Sequence, residues 1–324
     1  MNRRLFLAGT ASIAAGRTVL AQGDGASWPV RPVRLVVPYA AGGPTDVAAR
    51  IIAEGISQRL PQHVMVENVT GAGTVVGTSR VAGAGKDGHT FLIATVAHAV
   101  NAVLYANLTF DAAKDFRGVA LIGTVPQIVL VGKDFAARSI ADLLAAARAK
   151  PGSLTYGSAG IGSAQHLAAE LLAGMGRIGM VHVPYRGSGP AVTDLIGGRL
   201  DLVIDSAATA LAHIKGGALR ALAVTTKERL PMLPDVPTVA ETLPGYEAYT
   251  WNAILAPAAT SPEIVAAMNA AANAALADRA IAQRLDELGI AIAKNATPES
   301  TDTFVAAEMT KWQPLLRRAG IAPN

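Results

Sequence analysis

The 324-residue chain is predicted to be an α/β protein folded as two lobes, and three observations lead there. Its length suits about two domains, and a hydrophobic content of 51% can fill two cores. Short β-rich apolar runs alternate with helical patterns at the spacing of βαβ units, the signature of parallel-rich sheets covered on both faces. The strand series also breaks and restarts, near 120–126 and near 248–252, so the chain crosses between lobes twice. The expected division is 28–124 with 250–324 for lobe 1 and 125–249 for lobe 2.

The first unit starts with a strand at 33–38, leads through Gly42-Gly43-Pro44 into a helix over 45–60, and continues with a strand at 64–67. A Gly-rich loop at 71–73, a helix ending near Ala82 and a strand at 90–95, followed by a loop and a helix, complete it. A second series has strands near 128–131, 154–156, 180–183, 202–205 and 219–224, separated by helices starting near Ser139, Ser163, Gly189 and Ala207. A last strand at 251–256 precedes two helices. Thr260 and Glu263 have capping-box spacing with Pro262 in the first turn, Gly289 fits the end of that helix, and Thr297-Pro298-Glu299 repeats the start signal.

Composition excludes several functions. Charged residues make up 16% and the net charge is +4, with Lys and Arg scattered, which leaves no footprint for a nucleic-acid backbone. Without cysteine there is no disulfide, thiolate nucleophile or cysteine-ligated metal. Arg3-Arg4, an apolar stretch at 5–15 and the small-residue end Val19-Leu20-Ala21 read as an export signal over 1–21, too short to span a bilayer. Its Arg-Arg-Leu-Phe-Leu start resembles loosely a twin-arginine signal. Cleavage before Gln22 would leave 25 basic and 24 acidic residues. The uncharged run 89–110 contains two His, two Asn and three Thr, so a buried strand is expected there and not a membrane span.

Catalytic signatures fail. No Ser carries the flanking glycines of a nucleophile elbow, and no phosphate loop occurs. Gly83-Ala-Gly-Lys-Asp-Gly88 precedes a strand where a dinucleotide loop follows one, and reads as a surface turn. The six His are not paired on a helical face, so neither a metal nor a cofactor is expected. What remains are clusters of glycine and small hydroxyls at strand ends: Pro38-Tyr-Ala-Ala-Gly-Gly-Pro-Thr-Asp46, and Tyr156-Gly-Ser-Ala-Gly-Ile-Gly-Ser163 in the second lobe. Ligands of open parallel sheets sit beyond the carboxyl ends of strands, and free N–H groups at helix starts attract anions. Each cluster alone is as well explained by a tight turn; facing each other, two could hold a small carboxylate without Arg or Lys.

With these motifs the chain resembles the Bug-type periplasmic solute-receptor family of tripartite tricarboxylate transporters over about 28–320. The resemblance is carried by Trp28-Pro-Val-Arg-Pro-Val-Arg-Leu-Val-Val-Pro38, Gly42-Gly-Pro-Thr-Asp46, Val66-Glu-Asn68 with Gly71-Ala-Gly73, and Asp87-Gly-His-Thr90. Asp115-Phe116, Val181-His-Val-Pro-Tyr-Arg-Gly187, Leu219-Arg-Ala-Leu-Ala-Val224 and Leu233-Pro-Asp-Val-Pro-Thr238 follow in order. It implies a two-lobed, type II-like periplasmic-binding fold that closes on a small carboxylate and delivers it to a membrane permease, as a monomer. The family's first ligand loop maps onto Tyr39, Ala40, Gly42, Gly43, Thr45 and Asp46, and its second-lobe loop onto Ser158, Ala159, Gly160, Gly162 and Ser163, with His166 a turn further. A third loop maps onto 95–101, including Thr95 and His98, and a fourth onto Asp205 and Ser206. Tyr39 and Ala41 depart from the family's usual Phe and Pro, and His98 is unusual.

Bland roles compete: Asp46 ties its own loop, His182, Trp251 and Trp312 pack, and Asp205 has three roles open, repelling dicarboxylates, pairing with a ligand ammonium group or capping a helix. A ligand-presenting sensor accessory would share the site, and a periplasmic hydrolase would need Ser163 with His166 or Ser158 with His182. Arg186 is expected in an exposed turn away from the ligand.

Overall fold

The computed structural model describes residues 28–318. The export segment expected at 1–21 lies outside them. Val33–Val37 (β1) is a run of branched apolar residues in which Val33, Leu35, Val36 and Val37 are fully buried. Pro44–Ser57 (α1) returns the chain: Pro44 sits in its first turn, where a missing N–H costs nothing, and Ala48, Ile52 and Ile56 form its buried stripe. Val64–Asn68 (β2) pairs in parallel with β1. Val75–Ala82 (α2) leads through the turn at 83–88 to Thr90–Ala94 (β3), which lies parallel on the other side of β1. Val96–Leu104 (α3) follows at once.

The chain then enters Phe116–Gly132 (β4), a 17-residue strand. The second group consists of Ile140–Ala149 (α4), Leu154–Ser158 (β5), Ala164–Gly176 (α5), Met180–Pro184 (β6), Ser188–Ile196 (α6), Leu202–Ser206 (β7), Ala207–Lys215 (α7) and Leu219–Val224 (β8). Tyr249–Pro257 (β9) brings the chain back, before Pro262–Leu276 (α8), Arg279–Glu287 (α9), Ala291–Ile292 (β10) and Pro298–Arg318 (α10). The strand order is β2-β1-β3-β9-β4-β7-β5-β6, with β8 and β10 also paired to β4. β4 is the joint: up to Pro126 it pairs with β9, and from Gln127 onward with β7, with β8 joining from Ile128.

Four expectations need correction. The sheet is mixed: parallel pairs occupy the outer strands, whereas every pair made by β4 or β9 is antiparallel. The expected strand at 128–131 is only the end of β4, because Arg117, Gly118, Gly123 and Pro126 interrupt its apolar pattern. The stretch 95–101 is not a loop, since Thr95 caps α3 by accepting from Ala97 N at 3.3 Å and the helix starts at Val96. After β9 there are three helices: Ser261, not Thr260, caps α8, and Asp278 starts α9 by accepting from Ala280 N and Ile281 N. No helix among the described residues is long and apolar enough to cross a membrane.

One buried acid secures the return of the chain. Glu308 of α10, 3% exposed, accepts Trp251 Nε1 at 2.9 Å, Trp312 Nε1 at 3.1 Å and the Tyr249 hydroxyl at 2.8 Å. Three donors offset the cost of burying a carboxylate, so both indoles pack on the core with their N–H groups satisfied.

Candidate functional site

Five helices begin at the rim of one cavity of about 360 Å³. The residues that precede α1, α3, α5, α6 and α7, namely Gly43, Thr95, Ser163, Gly187 and Ser206, all border it. Each follows a strand end, the position where an α/β sheet presents ligand loops. Side chains cap two of these helices: Thr95 does so for α3, and Ser163 for α5 by accepting from His166 N at 3.4 Å. No side chain caps α1, α6 or α7, whose first N–H groups are left to whatever enters. Each helix start carries about half a positive charge, so the cavity favours an anion.

Of the residues the sequence nominated, Tyr39, Ala40, Gly42, Gly43, Thr45, Thr95, Ala159, Ser163 and Ser206 border the cavity. The Tyr39 hydroxyl lies 2.8 Å from Thr95 Oγ1, and burial pushes its pKa up to about 12 although that bond works the other way. Gly42 turns with φ +82°, which glycine adopts without strain.

The other nominees stand behind this wall. Asp46 ties down its loop, accepting from Gly42 N at 2.8 Å, Asn68 Nδ2 at 2.8 Å and Arg50 Nε at 3.0 Å. Burial raises its pKa, but Arg50, the Gly42 N–H and Asn68 together hold the carboxyl below its ordinary value. Ser158 is fully buried and bonds His182 Nε2 at 2.6 Å, Gly160 N–H donates to Ser158 Oγ, and Gly162 N–H donates to His166 Nδ1 at 3.2 Å. His166 stacks on His182 at 4.3 Å, which stacks in turn on Tyr156 at 4.8 Å, and burial lowers both histidines to about 4. Asp205, fully buried, accepts from Gln165, Ser188, Ser206 and Thr209. His98 faces a different cavity of about 260 Å³ near α10, donates Nε2–H to Ala112 O at 3.0 Å, and is lowered to about 4 by burial.

Sequence reasoning missed Gln127 and Thr250 from the two crossing strands, and Gln165, Gly187, Ser188, Gly189 and Pro190 around the starts of α5 and α6. It also misplaced Arg186, which is exposed as expected but borders the cavity. The loop after β6 precedes a helix start as the nominated loops do, and that was the available signal. Gln127 and Thr250 reach the cavity only through the pairing of β4 with β9, which no local pattern announces. Among the described residues no group of three His, Cys, Asp or Glu could hold a metal ion.

Comparison with known proteins adds a family and a fold. Residues 48–321 match the model of the tripartite tricarboxylate transporter family receptor. The chain is 41% identical over 318 residues to the UPF0065 protein in the tcbD-tcbE intergenic region of Pseudomonas sp. strain P51, covering 98% of this chain and 94% of that protein. The solved periplasmic binding protein BugD superimposes with a TM-score of 0.86 at 34% identity, covering 92% of this chain and all of BugD. The R. palustris protein Rpa4515, solved with adipate, superimposes with a TM-score of 0.87 at 38% identity, again covering 92% of this chain and all of its own.

Proposed function

We propose, since the chain belongs to the tripartite tricarboxylate transporter receptor family, that it captures a small carboxylate between its two lobes and presents it to a membrane permease. It is a solute-binding protein with the fold of periplasmic binding proteins, and its ligand is a small carboxylate, in keeping with the adipate of its relative. The observation that carries the reading is the convergence of five helix starts on one cavity, three of them uncapped. Tyr39, Ala40, Gly42, Gly43, Thr45, Thr95, Ala159 and Ser163 are its contact residues, with Arg186 adding positive charge at the rim. Asp46, Ser158, Gly160, Gly162, His166 and Asp205 hold those loops in shape.

The lobes are 28–124 with 250–324, and 125–249, hinged where β4 and β9 cross. The protein acts as a monomeric receptor without catalytic activity, exported to the periplasm by a signal at 1–21. Against catalysis, Ser163 Oγ meets the backbone of His166 and not its ring, and the Ser158–His182 pair does not border the cavity.

A thermal-shift screen of the mature protein against a carboxylate library tests this function. A ligand at 100 times its dissociation constant adds about 2.7 kcal/mol to the native state, so at least one acid should raise the melting temperature by several degrees. A flat response across mono-, di- and tricarboxylates, with amines or sugars shifting instead, would overturn it.

A further inference from the structure

Asp205 does not border the cavity, yet four donors close on its carboxylate: Gln165 Nε2 at 3.0 Å, Ser188 Oγ at 2.6 Å, Ser206 N at 2.8 Å and Thr209 Oγ1 at 2.5 Å. They come from the starts of α5, α6 and α7. An ionised carboxylate accepts and cannot donate, so the direction of every bond is determined. Gln165 must turn its amide NH₂ inward, which leaves Oε1 as the end that takes no hydrogen bond from any described residue. Ser188 commits its only proton to Asp205. Thr209 does the same, so the Ser206 hydroxyl, 3.1 Å from Thr209 Oγ1, donates to it. Gln165, Ser188 and Ser206 all border the cavity, and each is left with acceptor lone pairs to offer there. Backbone N–H groups at the helix starts therefore supply donors to this wall, and Gln165, Ser188 and Ser206 supply acceptors beside them.

We propose that Asp205 is a positioning residue that sets this polarity, so that the site prefers a carboxylate bearing a hydroxyl or ammonium donor beside the carboxyl group over the same acid without one. The inference rests on the carboxylate-receptor reading. A donor beside the carboxyl group meets an oriented acceptor, whereas the unsubstituted acid leaves those acceptors without a partner, and a buried polar group without a partner is costly.

Calorimetry with three matched sets of acids tests the proposal: propionate, lactate and alanine; succinate, malate and aspartate; glutarate, 2-hydroxyglutarate and glutamate. In the set that binds, the substituted acid should bind tighter than the plain one by about fivefold or more. The tighter of the hydroxy and amino acids identifies the donor. In Asp205→Asn the backbone N–H of Ser206 keeps an oxygen at the Oδ1 place, so the new NH₂ faces Ser188 and Thr209, and Ser188 must reverse and show the cavity a donor. The preference should then fall below about twofold while the plain acid still binds. If Asp205→Asn does not fold, Ser188→Ala and Gln165→Met each remove one acceptor and should each reduce the preference. Plain acids binding as tightly as their substituted partners overturn the proposal, as does a folded Asp205→Asn with its preference intact, or intact preference in both other variants. No binding by any of these acids contradicts the carboxylate reading itself, and the proposal falls with it.

Discussion

Ser158 Oγ lies 2.6 Å from His182 Nε2, a contact that joins β5 to β6 beneath the loop 158–163. The same hydroxyl bonds both the N–H and the carbonyl of Gly160, so it shapes the turn that carries Ala159 and Ser163 to the cavity. Ser158→Ala should cost about 1 to 3 kcal/mol of stability by leaving buried groups unpaired. Ligand affinity should fall as a consequence of the loosened turn. Chemical denaturation and calorimetry read the two effects. A fluorophosphonate probe should leave Ser158 unlabelled, and labelling at that serine would contradict its structural role.

Stability should decline in mild acid. Burial holds His98, His166 and His182 at about 4, with His166 adding to the effect on His182 and Glu170 opposing it. An unfolded chain protonates its histidines near the ordinary value of about 6.5. Between those values the unfolded state binds more protons, so this stability is fully present above about 6.5 and is lost as pH falls towards 4. For the deeply buried His98 the effect is at most about 3 kcal/mol. Urea midpoints measured from pH 7.5 to 4 should fall, and less steeply in His98→Gln. A midpoint that is flat or rises over that range would contradict the assignment.

Gly43→Val separates binding from folding. Gly43 has φ −77°, open to any residue, and an added Cβ would meet only Ala40 O at 3.6 Å. The fold should lose about 1 kcal/mol or less, because valine is a poorer cap than glycine. The isopropyl group would occupy the space in front of the uncapped start of α1, and affinity should drop more than about tenfold. Near-native affinity in a folded variant would show that the ligand does not approach α1.

Arg186→Ala should weaken binding by about fivefold at most, since the guanidinium is exposed and screened, and the loss should shrink as salt is added. Titrations at low and high ionic strength measure this. Complete loss of binding would make the guanidinium the main anchor of the carboxylate.

Much of this arrangement is legible in the sequence, because β1, β2, β5, β6, β7 and β8 are short apolar runs bounded by turn residues. The helix starts at Ser139 and Ser163 are visible for the same local reason. What is not legible depends on distant pairing. The first half of β4 carries Gly118, Gly123 and Pro126, which are accommodated only because β9 lies alongside. Around the site, glycines and hydroxyls mark the loops but do not say which atoms face the cavity. Asp205, Ser158 and His166 are polar residues in loops that reach the cavity, but they turn away from it to hold those loops together.

If backbone N–H groups at the uncapped helix starts hold the carboxylate, their amide resonances respond to it, and NMR on the mature protein reads them one by one. Saturation with the acid selected by the thermal-shift screen should move the amide protons of Thr45, Asp46, Ser188 and Gly189 downfield, as expected for N–H groups donating to an oxyanion. The largest shifts should cluster at the starts of α1, α6 and α7. Tight binding that leaves those amides in place, with its shifts confined to the Arg186 side chain and the cavity rim, would show that the helix starts do not hold the carboxylate.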